Sequence, residues 1–155
     1  ASKVFAYDIM VRMSLGRYWS DFDSKQQEKM VDLFVQMIEN NYFGKLMEYM
    51  TQNGVGKVSE DLIEITDEIV FSSRKAEVRS VIHYQDKEIP VNYRMLSRSD
   101  QKWQVYDIYV ENVSLIRNYR SQFEELMTTK SPEEVLDMMQ RKVEKNEASD
   151  LVESK

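Results

Sequence analysis

The sequence contains no cysteine and only one histidine, His83. The absence of cysteine excludes disulfide bonds, catalytic thiols and cysteine-ligated metals. With a single imidazole, a zinc site would need carboxylates for nearly all of its ligands, which is a poor match for that metal. We therefore expect neither a metal nor a cofactor.

Long apolar runs and an excess of positive charge are also missing. No stretch approaches 18 consecutive apolar residues, so no membrane-spanning helix is predicted. Asp and Glu outnumber Lys and Arg by 27 to 21, and the formal net charge is −6. Such a chain repels phosphate backbones and anionic bilayers, so we expect no nucleic-acid partner and no stable membrane insertion. The chain opens Ala1-Ser2-Lys3, so we expect that an export signal is absent from it.

The composition that is present is typical of one globular domain. The chain has 155 residues, of which 42% are hydrophobic and 31% are charged. We predict a single domain over residues 1–146 and a polar tail over residues 147–155. Ten methionines are many for this length, and flexible thioethers suit either a plastic core or a ligand cavity.

Helical periodicity dominates the first third of the chain. Apolar residues predict a helix over residues 3–15 that stops at Gly16. A connector follows over residues 17–22. Asp23, with Gln26 three positions later, predicts the start of the next helix. That helix carries a wide apolar stripe from Met30 to Met50.

The middle of the chain changes to period 2. Apolar and polar residues alternate in four segments between about Ile63 and Val110, separated at residues 85–87 and 99–101 by polar turns. This alternation predicts an antiparallel sheet with one covered face and one wet face. On this spacing, Trp103, Val105 and Asp107 share a face.

Helical spacing returns from about Asn112 to Met127, and Ser131-Pro132 predicts the start of a last helix. Helices, a four-stranded antiparallel sheet and more helices indicate an α+β fold. A curved sheet with helices over its concave face resembles the cone of the nuclear-transport-factor-2 type. We expect an apolar cavity between the sheet and the helices of such a cone.

Several segments in register resemble the toluene-tolerance, or MlaC-type, family. Residues 103–115 and 118–123 read WQVYDIYVENVSL and NYRSQF, which is similar to the family's W-K-V-Y-D-V, E-G-V-S-L and N-Y-R-S-Q-F. Residues 15–19, 42–46 and 89–94 match further family segments. Asn112 stands where the family has glycine, and asparagine also tolerates positive φ. The family usually has more helix before residues 15–19.

The resemblance implies a periplasmic carrier of a Gram-negative bacterium that is not an enzyme. Family members hold phospholipid tails in an apolar cavity. They pass the lipid between an outer-membrane lipoprotein complex and an inner-membrane lipid transporter complex. The expected ligand is therefore a phospholipid. The apolar side chains that we expect to line the cavity are Phe34, Met37, Ile38, Leu46, Met47, Met50, Val78, Ile82, Val91, Tyr93, Met95, Val105, Ile116 and Tyr119.

Arg120 and Asp107 have two interpretations each. Arg120 can meet a lipid phosphate, because its planar guanidinium suits that geometry, or it can belong to a structural network. Asp107 can act as an interior base in a small enzyme of the same cone shape, or it can accept hydrogen bonds from Arg120 or the backbone. No second catalytic group accompanies it. A lipid carrier, an enzyme using Asp107 and a solid interaction domain therefore remain as alternatives.

Overall fold

A computed structural model describes residues 4–40, 63–84, 86–98 and 102–145. Its helices and antiparallel strands confirm the α+β class. The chain divides into two compact units. The sheet unit comprises residues 1–10 and 59–118, and the helical unit comprises residues 11–58 and 119–155. Within the described part, no helix has the length and apolar character needed to cross a membrane.

Among the described residues, the sheet contains five strands, one more than the alternation predicts. All neighbours are antiparallel and lie in chain order. The strands are β1 (Ile63–Val70), β2 (Lys75–Tyr84), β3 (Lys87–Ser97), β4 (Trp103–Val110) and β5 (Val113–Ser114). The extra strand, β5, was not predicted because two residues are too few to show a period. Of the predicted turns, Gln85 and residues 99–101 lie outside the described residues.

A two-residue turn joins β4 to β5. Its residues, Glu111 and Asn112, have φ values of 50° and 69°. Two consecutive positive φ values characterise the type I′ turn, whose twist suits a tight hairpin. The positive φ expected at Asn112 is thus confirmed. Glu111 is a poor residue for this conformation, because its Cβ crowds the backbone.

Pairing between β2 and β3 confirms the predicted division into two faces. Val78 pairs with Tyr93 and Ser80 pairs with Val91, whereas Glu77 pairs with Arg94. Paired residues share a face and sequence neighbours alternate. One face is therefore mainly apolar. The opposite face carries most of the charged residues of the same strands, including Glu77, Arg79 and Arg94.

Two register shifts change the predicted faces elsewhere. In β4, Val105 pairs with Met95 but Asp107 pairs with Arg94, so Tyr106 is an extra residue. Val105 and Asp107 therefore lie on opposite faces, and the prediction that they share one was wrong. A second shift, between Ile65 and Asp67 in β1, likewise interrupts the alternation along that strand.

The predicted first helix starts later than its periodicity indicates. Helix α1 is Tyr7–Leu15, whereas residues 4–6 pair in parallel with β4. The Val105 amide donates to the Val4 carbonyl at 2.8 Å, and the Ala6 amide donates to the Val105 carbonyl at 2.9 Å. Backbone pairing with the edge of β4 thus overrides the helical spacing of this short segment.

The remaining helices begin where the capping residues indicate. A 3-10 helix, Gly16–Asp21, replaces most of the expected connector, and Gly16 has a φ of 56°. Helix α2 is Ser24–Ile38 and helix α4 is Pro132–Glu144. Asp23 with Gln26, and Ser131 with Glu134, form reciprocal capping boxes. The predicted stripe beyond Ile38 falls largely outside the described residues.

Helix α3 is Leu115–Met127, so it begins three residues later than predicted. Val113 belongs to β5 instead. Within the helical unit, the rings of Phe34 and Tyr119 are 5.0 Å apart and those of Tyr119 and Phe123 are 6.4 Å apart. Helices α2 and α4 also contact each other. These contacts build an aromatic and methionine core in the helical unit.

Candidate functional site

The apolar face of the sheet brings together six of the predicted cavity residues. Register places Val78 beside Tyr93, and Met95 between β2 and Val105. The six residues on this face are Val78, Ile82, Val91, Tyr93, Met95 and Val105. Ile82, Val91 and Val105 are buried, whereas Val78, Tyr93 and Met95 are half-buried. The half-buried members therefore retain accessible apolar surface.

Sequence reasoning missed two β4 members of this face. Buried Ile108 pairs with Tyr93, and exposed Val110 pairs with Val91. Simple alternation along β4 places Ile108 opposite Val105. The extra residue Tyr106 reverses the phase, and no turn residue signals this in the sequence. The face also contains Ser80, whose hydroxyl donates to the Val91 carbonyl at 2.6 Å. Because that hydroxyl is paired, it adds little polarity to the apolar face.

The other predicted cavity residues differ in burial from the half-buried strand residues. Phe34, Met37 and Ile38 on α2 are fully buried, as are Ile116 and Tyr119 on α3. Tyr119 packs between the rings of Phe34 and Phe123. Their role as lining residues stays a prediction. Three further predicted lining residues, Leu46, Met47 and Met50, lie outside the described residues.

Asp107 is a buried acceptor of hydrogen bonds. Its carboxylate accepts from the amides of Ile108 at 2.8 Å and Ile116 at 3.1 Å, and from the Ser114 hydroxyl at 2.5 Å. The Ser114 oxygen in turn accepts from the Arg117 amide at 3.1 Å. Together, Asp107 and Ser114 satisfy amides of the first turn of α3, where a negative charge is also favoured by the helix dipole.

Arg120 donates to a backbone carbonyl of the helical unit. Its Nε donates to the Met13 carbonyl at 2.9 Å, which links α3 to the end of α1 within the helical unit. Of the donors considered for Asp107, the backbone amides are observed, those of Ile108 and Ile116. The contact with Met13 places Arg120 in a structural network. A role for it at a lipid phosphate stays a prediction.

The polar face of the sheet holds a paired-charge network. Buried Glu77 accepts from Arg79 Nε at 2.8 Å and from Arg94 Nε at 2.6 Å. Burial acts to raise the pKa of Glu77, but the two guanidinium groups outweigh it and the pKa lies below its ordinary value. The Arg94 guanidinium also lies 5.2 Å from the ring centre of Phe71 and 5.1 Å from that of Tyr109.

His83 lies at the other end of that face between two carboxylates. Its Nε2 is 3.5 Å from Glu64 and its Nδ1 is 3.8 Å from Glu88. A single metal ion cannot use both nitrogens of one ring in this arrangement. Across the described segments, no group of three or more potential ligands could hold a metal ion.

Comparisons with known proteins agree with the resemblance of the motifs. A phospholipid-binding protein from Ralstonia solanacearum, solved in complex with a phospholipid, has a similar structure with a TM-score of 0.76. The sequences are 18% identical, and the alignment covers 92% of this chain and 75% of that chain. This likeness shows a shared fold. A search of curated proteins found no match. Residues 1–141 match the family model described as MlaC protein. The chain therefore belongs to the MlaC family, whose members are lipid carriers and not enzymes.

Proposed function

We propose that this chain binds a phospholipid by its acyl chains and carries it through the periplasm. The apolar face of the sheet is the observation that carries the proposal. Val78, Tyr93 and Met95 are half-buried there and keep apolar surface available. The donor and acceptor of the proposed transfer are the inner-membrane lipid transporter complex and the outer-membrane lipoprotein complex that the family resemblance implies.

The physical argument concerns the cost of moving acyl chains through water. Each buried methylene contributes about 0.8 kcal/mol, so a carrier needs extended apolar contact more than it needs head-group recognition. The part of the apolar face from Ile82 through Val91 to Val105 offers such contact. The charged residues that flank it are Glu68 of β1, which pairs with Val78, and Lys87, which pairs with Tyr84. The phospholipid in the Ralstonia solanacearum structure supports the same ligand class for this chain.

The alternative of an enzyme that uses Asp107 has little support. Each oxygen of the carboxylate already accepts at least one short hydrogen bond, from Ile108, Ile116 and Ser114. A general base must reach a proton on a substrate, and this carboxylate is directed into the backbone of α3 instead. The register also places it on the face opposite Val105 and the apolar residues.

The direct test is to extract the purified protein with organic solvent and identify phospholipid by mass spectrometry. We expect phospholipid in near-stoichiometric amount. The same protein, unfolded in denaturant, stripped of lipid and refolded, is expected to take up phospholipid again from vesicles. A folded protein that neither retains nor takes up phospholipid would contradict the proposal.

A further inference from the structure

One end of the sheet exposes large apolar side chains. It comprises the β1–β2 hairpin tip, the end of β3, the start of β4 and the segment that pairs with β4. Val70 and Phe71 are 72% and 53% exposed at the hairpin tip, and Trp103 and Val4 are 41% and 55% exposed at the other side. Val70 with Phe71, and Trp103 with Val4, therefore place two pairs of exposed large apolar side chains at this end of the sheet.

Positive residues share this end of the sheet. Arg74 precedes β2 and Lys75 begins it, Arg98 follows β3, and Lys102 precedes β4. We call the whole surface the basic end, formed by Val4, Val70, Phe71, Arg74, Lys75, Arg98, Lys102 and Trp103. Described carboxylates also lie near these residues in sequence. Asp8 pairs with Arg98 at 2.6 Å, Glu77 is buried against Arg79 and Arg94, and Glu68 is exposed two residues before Val70. Asp100, in the connection from β3 to β4, lies outside the described residues.

Backbone hydrogen bonds hold these residues in place. The amides of Phe71 and Ser72 donate to the Lys75 carbonyl at 2.9 and 3.1 Å. The Ser97 amide donates to the Arg74 carbonyl at 2.8 Å, and Ser97 pairs with Trp103 across β3 and β4. The basic end is therefore a prearranged platform.

The two apolar parts of the platform are separated by the cations. Phe71 follows β1 and Trp103 begins β4, so three strand spacings of about 4.8 Å place them roughly 14 Å apart. Separated anchors cannot form the contiguous desolvated centre that dominates a protein–protein interface. A fluid bilayer accepts each anchor independently, because aromatic side chains insert among head groups while cations meet lipid phosphates.

We propose that the basic end docks reversibly on an anionic phospholipid bilayer. Phe71 and Trp103 insert at the interface, and Arg74, Lys75 and Lys102 contact lipid phosphates. The net charge of −6 weakens adhesion by the rest of the surface, so docking through this end sets the orientation of the chain on the membrane. The proposal is independent of the cargo, since it uses none of the residues predicted to line the cavity.

Vesicle flotation tests the proposal with the full chain. We expect binding to vesicles of phosphatidylethanolamine and phosphatidylglycerol, weaker binding at high salt and little binding to phosphatidylcholine alone. Each cation near the surface is worth about a fivefold change in partitioning. The double substitution Arg74→Glu with Lys75→Glu is therefore expected to weaken binding by at least about twentyfold. Lys25→Glu with Lys29→Glu in the helical unit makes the same change in charge and is expected to leave binding nearly unchanged.

The apolar anchors have their own matched test. Phe71→Ser is expected to weaken binding, while Val113→Ser, at an equally exposed site across the sheet, is not. In the Trp19→Phe background, Trp103 is the remaining tryptophan. Its fluorescence is expected to shift to shorter wavelength with anionic vesicles and to be quenched by brominated acyl chains.

Several results would overturn the proposal. One is the absence of binding to anionic vesicles by the folded wild type. Another is binding that the Arg74, Lys75 and Phe71 variants leave intact. Equal affinity for soluble poly-L-glutamate would assign the surface to an acidic protein instead. Self-association that the same variants abolish would assign it to a second copy of the chain.

Discussion

The helical unit and the sheet unit treat their apolar side chains differently. In the helical unit, Met30, Phe34, Phe123 and Met139 are at most 1% exposed. Among the described residues, the large apolar side chains that remain exposed all belong to the sheet unit. They are Val4, Ile65, Val70, Phe71, Trp103, Val110 and Val113.

Buried apolar side chains stabilise the fold, whereas exposed apolar side chains are available for contact with other molecules. A closed core contributes most of its apolar surface to folding. The sheet unit keeps apolar surface on two features, the half-buried Val78, Tyr93 and Met95 of one face and the basic end. The closed core of the helical unit therefore contributes mainly to stability, and the exposed apolar side chains of the sheet unit contribute less.

Replacing one phenylalanine by alanine in each unit is expected to give the largest difference in stability between the two units. Phe34→Ala removes a fully buried ring that packs 5.0 Å from Tyr119, and it is expected to lower the free energy of unfolding by about 3–5 kcal/mol. Phe71→Ala removes a half-exposed ring and is expected to cost under about 1 kcal/mol. Urea denaturation measures both. Equal losses would break the distinction between the units.

The next largest effect is expected at Asp107. Asp107→Ala leaves the Ile116 amide and the Ser114 hydroxyl without their acceptor, which should cost about 2–4 kcal/mol. Ser114→Ala should cost about 1 kcal/mol, because it removes one cap of α3. Thermal and chemical denaturation measure these losses. A fully stable Asp107→Asn variant that abolished turnover of some substrate would restore the enzyme hypothesis.

Glu77 gives the sheet unit a stability that depends on pH. Its folded-state pKa lies below the ordinary value of 4.5, so its contribution is complete above that value and is lost as pH falls through the folded pKa. Glu77→Gln should therefore cost about 1–3 kcal/mol at neutral pH and progressively less in acid. Denaturation of both proteins across the acid range checks this. A constant difference at every pH would contradict the assignment.

The smallest effect is expected at the β4–β5 turn. Glu111→Asn with Asn112→Gly creates the residue pair that the type I′ turn prefers, while Glu111 now sits at a φ of 50°. The double variant should gain about 0.5–1 kcal/mol of stability. An unfolding midpoint of the double variant below that of the wild type would show that the turn has another conformation.

Local chemistry made much of the fold predictable from the sequence. Capping residues predict the starts of two helices, through Asp23 with Gln26 and through Ser131 with Pro132. Alternation in β2 and β3 predicts the two faces of the sheet. The features that the sequence predicted wrongly depend on pairing with residues that are distant in sequence. Residues 4–6 leave the helical pattern because β4 offers them backbone hydrogen bonds. The extra residue Tyr106 moves Asp107 to the polar face, and only pairing with β3 reveals it.

The central claim is that the apolar face of the sheet holds lipid, and one pair of variants tests it most directly. Met95→Glu places a charge on the apolar face, where an unpaired charge disfavours acyl chains. Asn92→Glu makes a similar change on the opposite face of the same strand. Circular dichroism first establishes that both variants are folded, and mass spectrometry then measures phospholipid per chain. We predict that Met95→Glu loses most of its phospholipid and that Asn92→Glu keeps it. A folded Met95→Glu variant that carries as much phospholipid as the wild type would contradict the claim.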